Sequence, residues 1–566
     1  MSHYSGLRQV PTFSPLLSLP HAHHNSGTMF NVILVLLSCL PPTLPYKDFS
    51  THTPYEYSRG DITKVQWSDQ LVPTRFYLIA RHGSRNLNAE YVISMEKFLD
   101  KILLEDEGIE RLPWLRTWKR PYYFPDRHLV PQGMLEHYHL AQRYKKKFPA
   151  FFPPYYPTKY HIRSTNILRA SQSAASFLFG IFEGMGPLNQ FSSPTNLSTD
   201  GFQPVGLEIE SADEDKLLRF MDNCPAFTNC PTTKNGGLEK TKLQKSEKYK
   251  KLVLDPISKR AGFSLTVEDA EGLYNLCNFE HMSPTESNNS SFCDLIPRSA
   301  FALLDYSRDF NEYYRSSYPN KLGYELSCVV LKDVLREFES EEFSTALRFA
   351  HSETIVPLIT LLGINKDQDN IIYTWDKEDF WNRTTKLREL DPFATNMGFV
   401  VFRNSSSEQD IIKIYLNERE VKITACASSK EGCTRDELLE IVRGTLGQCD
   451  RSAMCFGTNT TNDDVIISTV DDVIVSTRGN DNDNVQPMNE STSLTSQCIS
   501  EKNVDLAVAA KLADENKVLL DFNLFVIMTG LSGLCIVLMG LVAFNCKKII
   551  SNGVNSGYQK LPFLDS

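Results

Sequence analysis

The sequence has no excess of positive charge. Its 59 Lys and Arg stand against 69 Asp and Glu, a formal net charge of -10 with a pI near 5.7. That balance argues against a chain built to coat a nucleic-acid backbone, which needs a basic face. It leaves room for a small anion held by a local group of arginines. No Cys-x-x-Cys pair occurs, so the zinc-finger spacing is missing and a structural zinc site is not indicated. Long apolar runs are nearly absent too. Phe30 to Leu40 form a short one, the length of a signal h-region and too short to span a bilayer, although a basic n-region does not precede it. The other, Phe522 to Cys546, holds no ionisable side chain besides Cys535 and Cys546, and that length does span.

What is present points to the secretory route. There are 13 cysteines, and setting aside Cys39, Cys535 and Cys546 leaves an even set of ten in the body, consistent with disulfides. Cys277 with Cys293 and Cys426 with Cys433 are expected to pair as short loops. Sequons begin at Asn196, Asn288, Asn289, Asn382, Asn404, Asn459 and Asn489. With 566 residues, 41% of them hydrophobic, the chain can bury a large core in two lobes.

The chain is organised around residues 75–85. Phe76 to Ala80 read as a strand buried on both faces, because the apolar run shows no polar alternation. Arg81-His82-Gly83-Ser84-Arg85 then turn at the strand's carboxyl end, where open α/β sheets bind ligands. Guanidinium forks match phosphate oxygens, and positive charge beside His82 favours its neutral, nucleophilic form. An exposed basic turn is the bland alternative. Helical spacing continues over Tyr91 to Glu107 and Gln132 to Phe148. A second strand, Tyr160 to Thr165, places Arg163 as another candidate anion ligand, and the Ala- and Phe-rich helix Arg169 to Gly184 comes next.

From residue 207 to 342 the chain is polar, mostly helical by pattern and without a convincing strand. The sheet pattern resumes over Thr345 to Ala350. His351-Ser352-Glu353 then open a helix over Ile355 to Leu362, with Pro357 suited to its first turn. His351 there can hold phosphate and Glu353 can move a proton, or Glu353 simply caps the helix. Met397 to Arg403 and Ile411 to Val421 read as two further strands.

Arg81-His82-Gly83-Ser84-Arg85, His161-Ile162-Arg163-Ser164 and His351-Ser352-Glu353 together resemble the histidine acid phosphatases, most nearly the multiple inositol polyphosphate phosphatase branch. Gln132-Gly133 and Leu416-Asn417-Glu418 support the match, which covers roughly residues 60–455. Two features depart from that branch: Ser352 stands where Ala is usual, and Asn86-Leu87-Asn88 replace aromatic-Pro-Thr. The resemblance implies an α/β fold, a sheet domain flanked by helices with an inserted, mostly helical cap. It implies His82 as the nucleophile forming a phosphohistidine and Glu353 as the acid. Arg81, Arg85, Arg163 and His351 would bind phosphate, with no cofactor or metal and a mildly acidic optimum. Inositol polyphosphates are the implied substrates, with 2,3-bisphosphoglycerate as a further candidate. A broad-specificity lysosomal-type acid phosphatase and an inactive glycosylated surface binding protein are the alternatives.

The expected organisation is an N-terminal extension and signal peptide at 1–46, sheet domain at 60–206 and 343–456, and cap at 207–342. A flexible stalk at 457–515, a transmembrane helix at 522–546 and a cytoplasmic tail at 547–566 complete it. Lys547-Lys548 orient the tail toward the cytoplasm. Within it, Tyr558-Gln559-Lys560-Leu561 resembles a tyrosine-based signal read by clathrin adaptors, which implies the plasma membrane or an endosome or lysosome as the address.

Overall fold

The computed structural model describes residues 49–457 apart from 105–111, 117, 119–125, 187–201, 283–291, 342–343, 375, 424 and 427–430. The expected signal segment, transmembrane helix and tail lie outside the described residues, as does the stalk beyond Gly457. Among the described residues no helix is long and apolar enough to cross a membrane.

Strand β1 (Leu71–Arg81) is the centre of a seven-stranded mixed sheet with β2 (Tyr160–Thr165), β3 (Glu208–Glu210), β4 (Thr345–Ala350), β5 (Asn396–Asn404), β6 (Asp410–Leu416) and β7 (Arg419–Val421). The spatial order is β3-β2-β4-β1-β5-β6-β7. β1, β4, β2 and β3 run parallel, whereas β5, β6 and β7 are antiparallel additions on the other side of β1. The helices that matter here are α1 (Ala89–Leu104), α2 (Pro131–Lys147), α3 (Leu168–Phe182), α4 (Thr232–Gln244), α5 (Val267–Met282), α6 (Arg298–Ser316), α7 (Cys328–Glu339) and α8 (Ser352–Leu361).

The unbroken apolar run of β1 has a direct cause. Side chains alternate faces along a strand, and here both faces are covered. Phe76, Leu78 and Ala80 pack with Leu140, Ala141 and Tyr144 of α2 and Phe177 and Leu178 of α3. Tyr77 and Ile79 meet Val330, Leu331 and Val334 of α7 and Ile355 and Leu358 of α8.

A separate core lies in the cap, built from α4, α5 and α6 around Leu243, Leu273, Leu276, Phe301, Leu304 and Phe310. Two helices cross the expected domain line. α1 falls within 60–206, yet Met95, Phe98, Leu99 and Ile102 pack into the cap core. α7 falls within 207–342, yet it lies against the sheet. An amphipathic stripe states that a helix buries one face, not which surface receives it.

Three further differences have equally local reasons. β3 is Glu-Ile-Glu with all three residues exposed, so this edge strand carries no apolar pattern and exists through its pairing with β2. The expected single strand 411–421 is a hairpin, turned at Asn417 and Glu418 with φ of 49° and 64°, the positive values a two-residue hairpin loop needs. α8 starts at Ser352 rather than Ile355, which puts Pro357 inside the helix instead of in its first turn.

Cys277–Cys293 and Cys426–Cys433 are bonded, as the short spacings predict. Cys224–Cys455 and Cys328–Cys449 span 231 and 121 residues and fasten the 449–455 segment back onto the sheet domain. Long loops of this kind restrict the unfolded chain most.

Candidate active site

β1, β4 and β2 are parallel neighbours and end together, with Arg81 beside Ala350 and Phe349 beside Ser164. The residues just past each strand therefore collect at one edge of the sheet. His82 comes directly after β1, His351 directly after β4 as the N-cap of α8, and the start of α3 shortly after β2.

The turn after β1 is held by α2. A Cβ on Gly83 would lie 2.2 Å from the carbonyl oxygen of Gly133, and one on Gly133 would lie 2.2 Å from that of Ser84. Only two glycines allow this approach. Glu136, one helical turn further on, accepts from Ser84 N at 2.7 Å, Ser84 Oγ at 2.7 Å and Tyr55 N at 3.1 Å. His137 Nε2 donates to the Arg81 carbonyl at 2.9 Å. Burial drives the His137 pKa down to about 4, so it acts as a neutral strut.

His82 is buried, and its Nδ1 lies 2.9 Å from the Gly83 carbonyl. A carbonyl only accepts, so Nδ1 carries the proton and Nε2 keeps its lone pair. Burial first, then Arg169, Arg81, His351 and Arg85, hold His82 well below the ordinary histidine pKa. The ring is therefore neutral at physiological pH.

Arg81 is anchored by Nη1, which donates to the carbonyls of Thr51 and Asp391 at 2.7 Å each and to Asp391 Oδ2 at 3.1 Å. The Phe393 ring lies 4.9 Å from its guanidinium. Ser352 Oγ donates to the same Asp391 Oδ2. The serine that departs from the related pattern thus helps fix Arg81. Arg85 Nη1 donates to the Asn86 carbonyl at 2.8 Å and to Asn88 Oδ1 at 3.0 Å, so the other departure, Asn86-Leu87-Asn88, steadies Arg85. Burial, with Arg169 and Arg81 nearby, lowers the Arg85 pKa to about 9.

His351 Nε2 is 2.9 Å from Thr165 Oγ1, and Arg169 Nη2 is 3.4 Å from His351 Nδ1. Since guanidinium can only donate, Nδ1 accepts and Nε2–H faces the threonine. Burial holds His351 low and neutral. The Nε atoms of Arg81, Arg85 and Arg169 are all buried without an acceptor among the described residues. Three guanidiniums crowd two neutral imidazoles, and a tetrahedral oxyanion is the ligand that satisfies such donors.

Glu353 stands in the first turn of α8, with Oε1 3.1 Å from Arg315 Nη2. Burial pushes its carboxyl up, but Arg315 and His351 outweigh that and hold it well below the usual carboxylate range.

Of the six residues the sequence singles out, His82, Arg81, Arg85, His351 and Glu353 come together. Arg163 does not. Its guanidinium pairs with Glu210 and lies 4.0 Å from Glu208, both on β3. It shares the β2 face of His161, which meets Glu208 and Glu337. The guanidinium that reaches the site is Arg169, six residues on. The available signal is an arginine in the first turn of a helix, where the dipole disfavours a cation unless an anion is to be shared. Ser352 and Asn88, marked in the sequence only as departures from the related pattern, also belong to the site, as do Asp391 and Arg315, which carry no mark there.

The family model of the histidine phosphatase superfamily (branch 2) matches residues 75–417. Multiple inositol polyphosphate phosphatase 1 of Dictyostelium discoideum is 27% identical over 445 residues, 67% of this chain and 67% of that protein. Among solved structures, the phytase from D. castellii aligns with a TM-score of 0.58 at 16% identity, covering 73% of this chain and 87% of its own. Bifidobacterium longum multiple inositol polyphosphate phosphatase, in complex with inositol hexasulfate, aligns with a TM-score of 0.52 at 18% identity, covering 71% and 99%. A strand-end His82 ringed by arginines, on a sheet and cap of this topology, agrees with that match, and the chain belongs to the histidine phosphatase superfamily, branch 2.

Proposed function

We propose that this chain is a phosphomonoesterase that removes phosphate from inositol polyphosphates through a phosphohistidine. The observation that carries the reading is the His82 Nε2 lone pair, set by the Nδ1 bond to Gly83, among three guanidiniums with unmatched donors. His82 Nε2 attacks phosphorus as the phosphorus–alkoxide bond breaks. Arg81, Arg85, Arg169 and His351 hold the phosphoryl oxygens through the transition state, where positioning and electrostatics supply most of the catalysis. Arg169 takes the role that the resemblance implied for Arg163. Glu353, once protonated, gives its proton to the leaving alkoxide. As a carboxylate it then takes a proton from water, which attacks phosphorus and releases phosphate and neutral His82. The relatives named multiple inositol polyphosphate phosphatase support this substrate class over a broad-specificity acid phosphatase.

His82→Ala is expected to lower phosphate release by about 10⁴-fold or more. Glu353→Gln should slow inositol hexakisphosphate far more than p-nitrophenyl phosphate, whose leaving group needs no proton. Equal losses on both esters would reject Glu353 as the acid.

The anchor at 522–546 and the tail signal at Tyr558 and Leu561 complete the reading: a type I membrane protein whose catalytic body faces a lumen or the exterior. Tyr558→Ala should shift the protein to the cell surface, measured by surface biotinylation. An unchanged distribution would reject the sorting signal alone.

A further inference from the structure

From α6, the cap touches Glu353 through Arg315. Arg315, in the last turn of α6, holds Glu353 Oε1 at 3.1 Å and Glu312 Oε2 at 3.2 Å, both through Nη2. Its Nε is buried without an acceptor among the described residues. Nη2 is thus engaged by carboxylates, while Nη1, which is not buried, makes no hydrogen bond among the described residues and forms the unmatched edge. Arg315 and Glu353 together line a cavity of about 350 Å³ whose wall also carries Arg219, Asp222, Asn223 and Thr228. Both side chains are about one-third exposed, at 35% and 33%.

The geometry raises a difficulty for Glu353. A leaving-group acid must carry a proton, yet this carboxyl is bound to a guanidinium. The charges facing it are Arg315 and Glu312 from α6, Arg169 from α3 and Arg85 from the turn after β1. Asp391 ahead of β5, Asp213, Arg219 and Asp222 from the segment after β3, and His351 on its own helix face it as well. Arg315, in direct contact, and His351 next to it hold the carboxylate form. In-line displacement sends the alcohol away from His82; with Glu353 as its acid, the body of the leaving group lies beside Glu353, at the cavity that Arg315 also lines.

We propose that Arg315 is a positioning residue that aims Glu353 and binds, with its unmatched edge, a second phosphate carried by the leaving group next to the scissile ester. This rests on the phosphatase reading above and adds to it a specificity device. A second phosphate on Arg315 places negative charge beside Glu353 and offsets the guanidinium that keeps it ionised. Glu353 then takes a proton from solvent and passes it to the departing alkoxide. A substrate with one phosphate leaves Arg315 bound to Glu353 and Glu312 and gains no such help. The cap thereby favours polyphosphorylated alcohols in the chemical step as well as in binding.

The test compares kcat/KM for inositol hexakisphosphate with that for glycerol 2-phosphate. A charge-assisted bond to phosphate corresponds to a factor of about 10 to 100. Arg315→Ala should lower the ratio of the two constants by that factor. It should also move the alkaline limb of the glycerol 2-phosphate profile to higher pH, because the free enzyme keeps Glu353 protonated longer. Arg315→Lys should recover part of the ratio. A ratio within about twofold of wild type, or an alkaline limb that stays in place, overturns the proposal, as does an equal loss on both esters. If Arg315→Ala fails to fold, Arg315→Gln is read by the same criteria. Wild-type protein that releases phosphate from neither ester would reject the phosphatase reading itself, an outcome separate from a failure of Arg315.

Discussion

Arg348 inside β4 and the three arginines around His82, from the end of β1 and the start of α3, face opposite situations. Arg348, inside the strand, has every nitrogen engaged. Nε donates to Asp333 at 2.9 Å, Nη2 to Glu337 at 2.7 Å and Nη1 to the His161 carbonyl at 2.8 Å. Tyr77 Oη joins the same Asp333 at 2.9 Å. Here one guanidinium meets two carboxylates. Just past the strand end, Arg81, Arg85 and Arg169 surround His82, and the carboxylate hydrogen-bonded to that trio is Asp391, on Arg81. The first cluster is matched within the protein. The second leaves the Nε of each guanidinium without an acceptor among the described residues. A buried arginine is therefore no indication of function until its acceptors are counted.

The comparison can be broken most severely at Arg348. Arg348→Ala takes the fully buried guanidinium from Asp333 and Glu337, leaving them the exposed Arg336 and, for Glu337, His161, and should cost about 3–5 kcal/mol of folding stability. Chemical denaturation followed by circular dichroism measures it. A loss under roughly 1 kcal/mol would mean the cluster is not the matched, buried unit described.

Arg169→Ala should behave in the opposite way. It removes one of several like charges around His82, so the melting temperature should hold or rise, while kcat falls by about 10²–10³-fold, as when a transition-state donor is lost. A clear fall in melting temperature would place Arg169 with Arg348 as a structural residue.

Inorganic phosphate sharpens the contrast. At 100 times its Kd it should stabilise the wild type by about 2.7 kcal/mol, with a weaker response in Arg169→Ala at the same concentration. Differential scanning fluorimetry across a phosphate series reads both.

The smallest effect is a pH dependence beneath the site. His137 is depressed to about 4 by burial, whereas the unfolded chain takes up that proton near pH 6.5. Its contribution is complete above pH 6.5 and is lost as pH falls toward 4, because the unfolded state then binds more protons. His137→Gln, which can still donate to the Arg81 carbonyl, should show a shallower loss of melting temperature between pH 6.5 and 4. An identical slope would remove His137 as a contributor.

Much of the site was legible because strand ends carry their own marks. An apolar run broken by Arg81-His82-Gly83, and another ending at His351, announce both the strand and the edge from which a ligand is reached. Arg163 misled for a reason equally physical. It sits at the correct end of β2, but the alternation of a strand sends it to the side where Glu208 and Glu210 of β3 lie. That edge strand has no pattern of its own to read. Asp391 and Arg315 are single polar residues in ordinary contexts, and nothing local distinguishes them from surface residues.

What the sequence determined by itself was local: which runs bury both faces, where the glycines let the backbone turn, and which short cysteine loops close. The tertiary structure alone decided which helices belong to the cap, since an amphipathic face such as that of α1 or α7 does not name its partner. It also decided that Arg169 rather than Arg163 faces His82, and that Arg315 from α6 grips Glu353. Such pairings join residues far apart in the chain, and they exist only once two separately formed cores have packed against the same sheet edge.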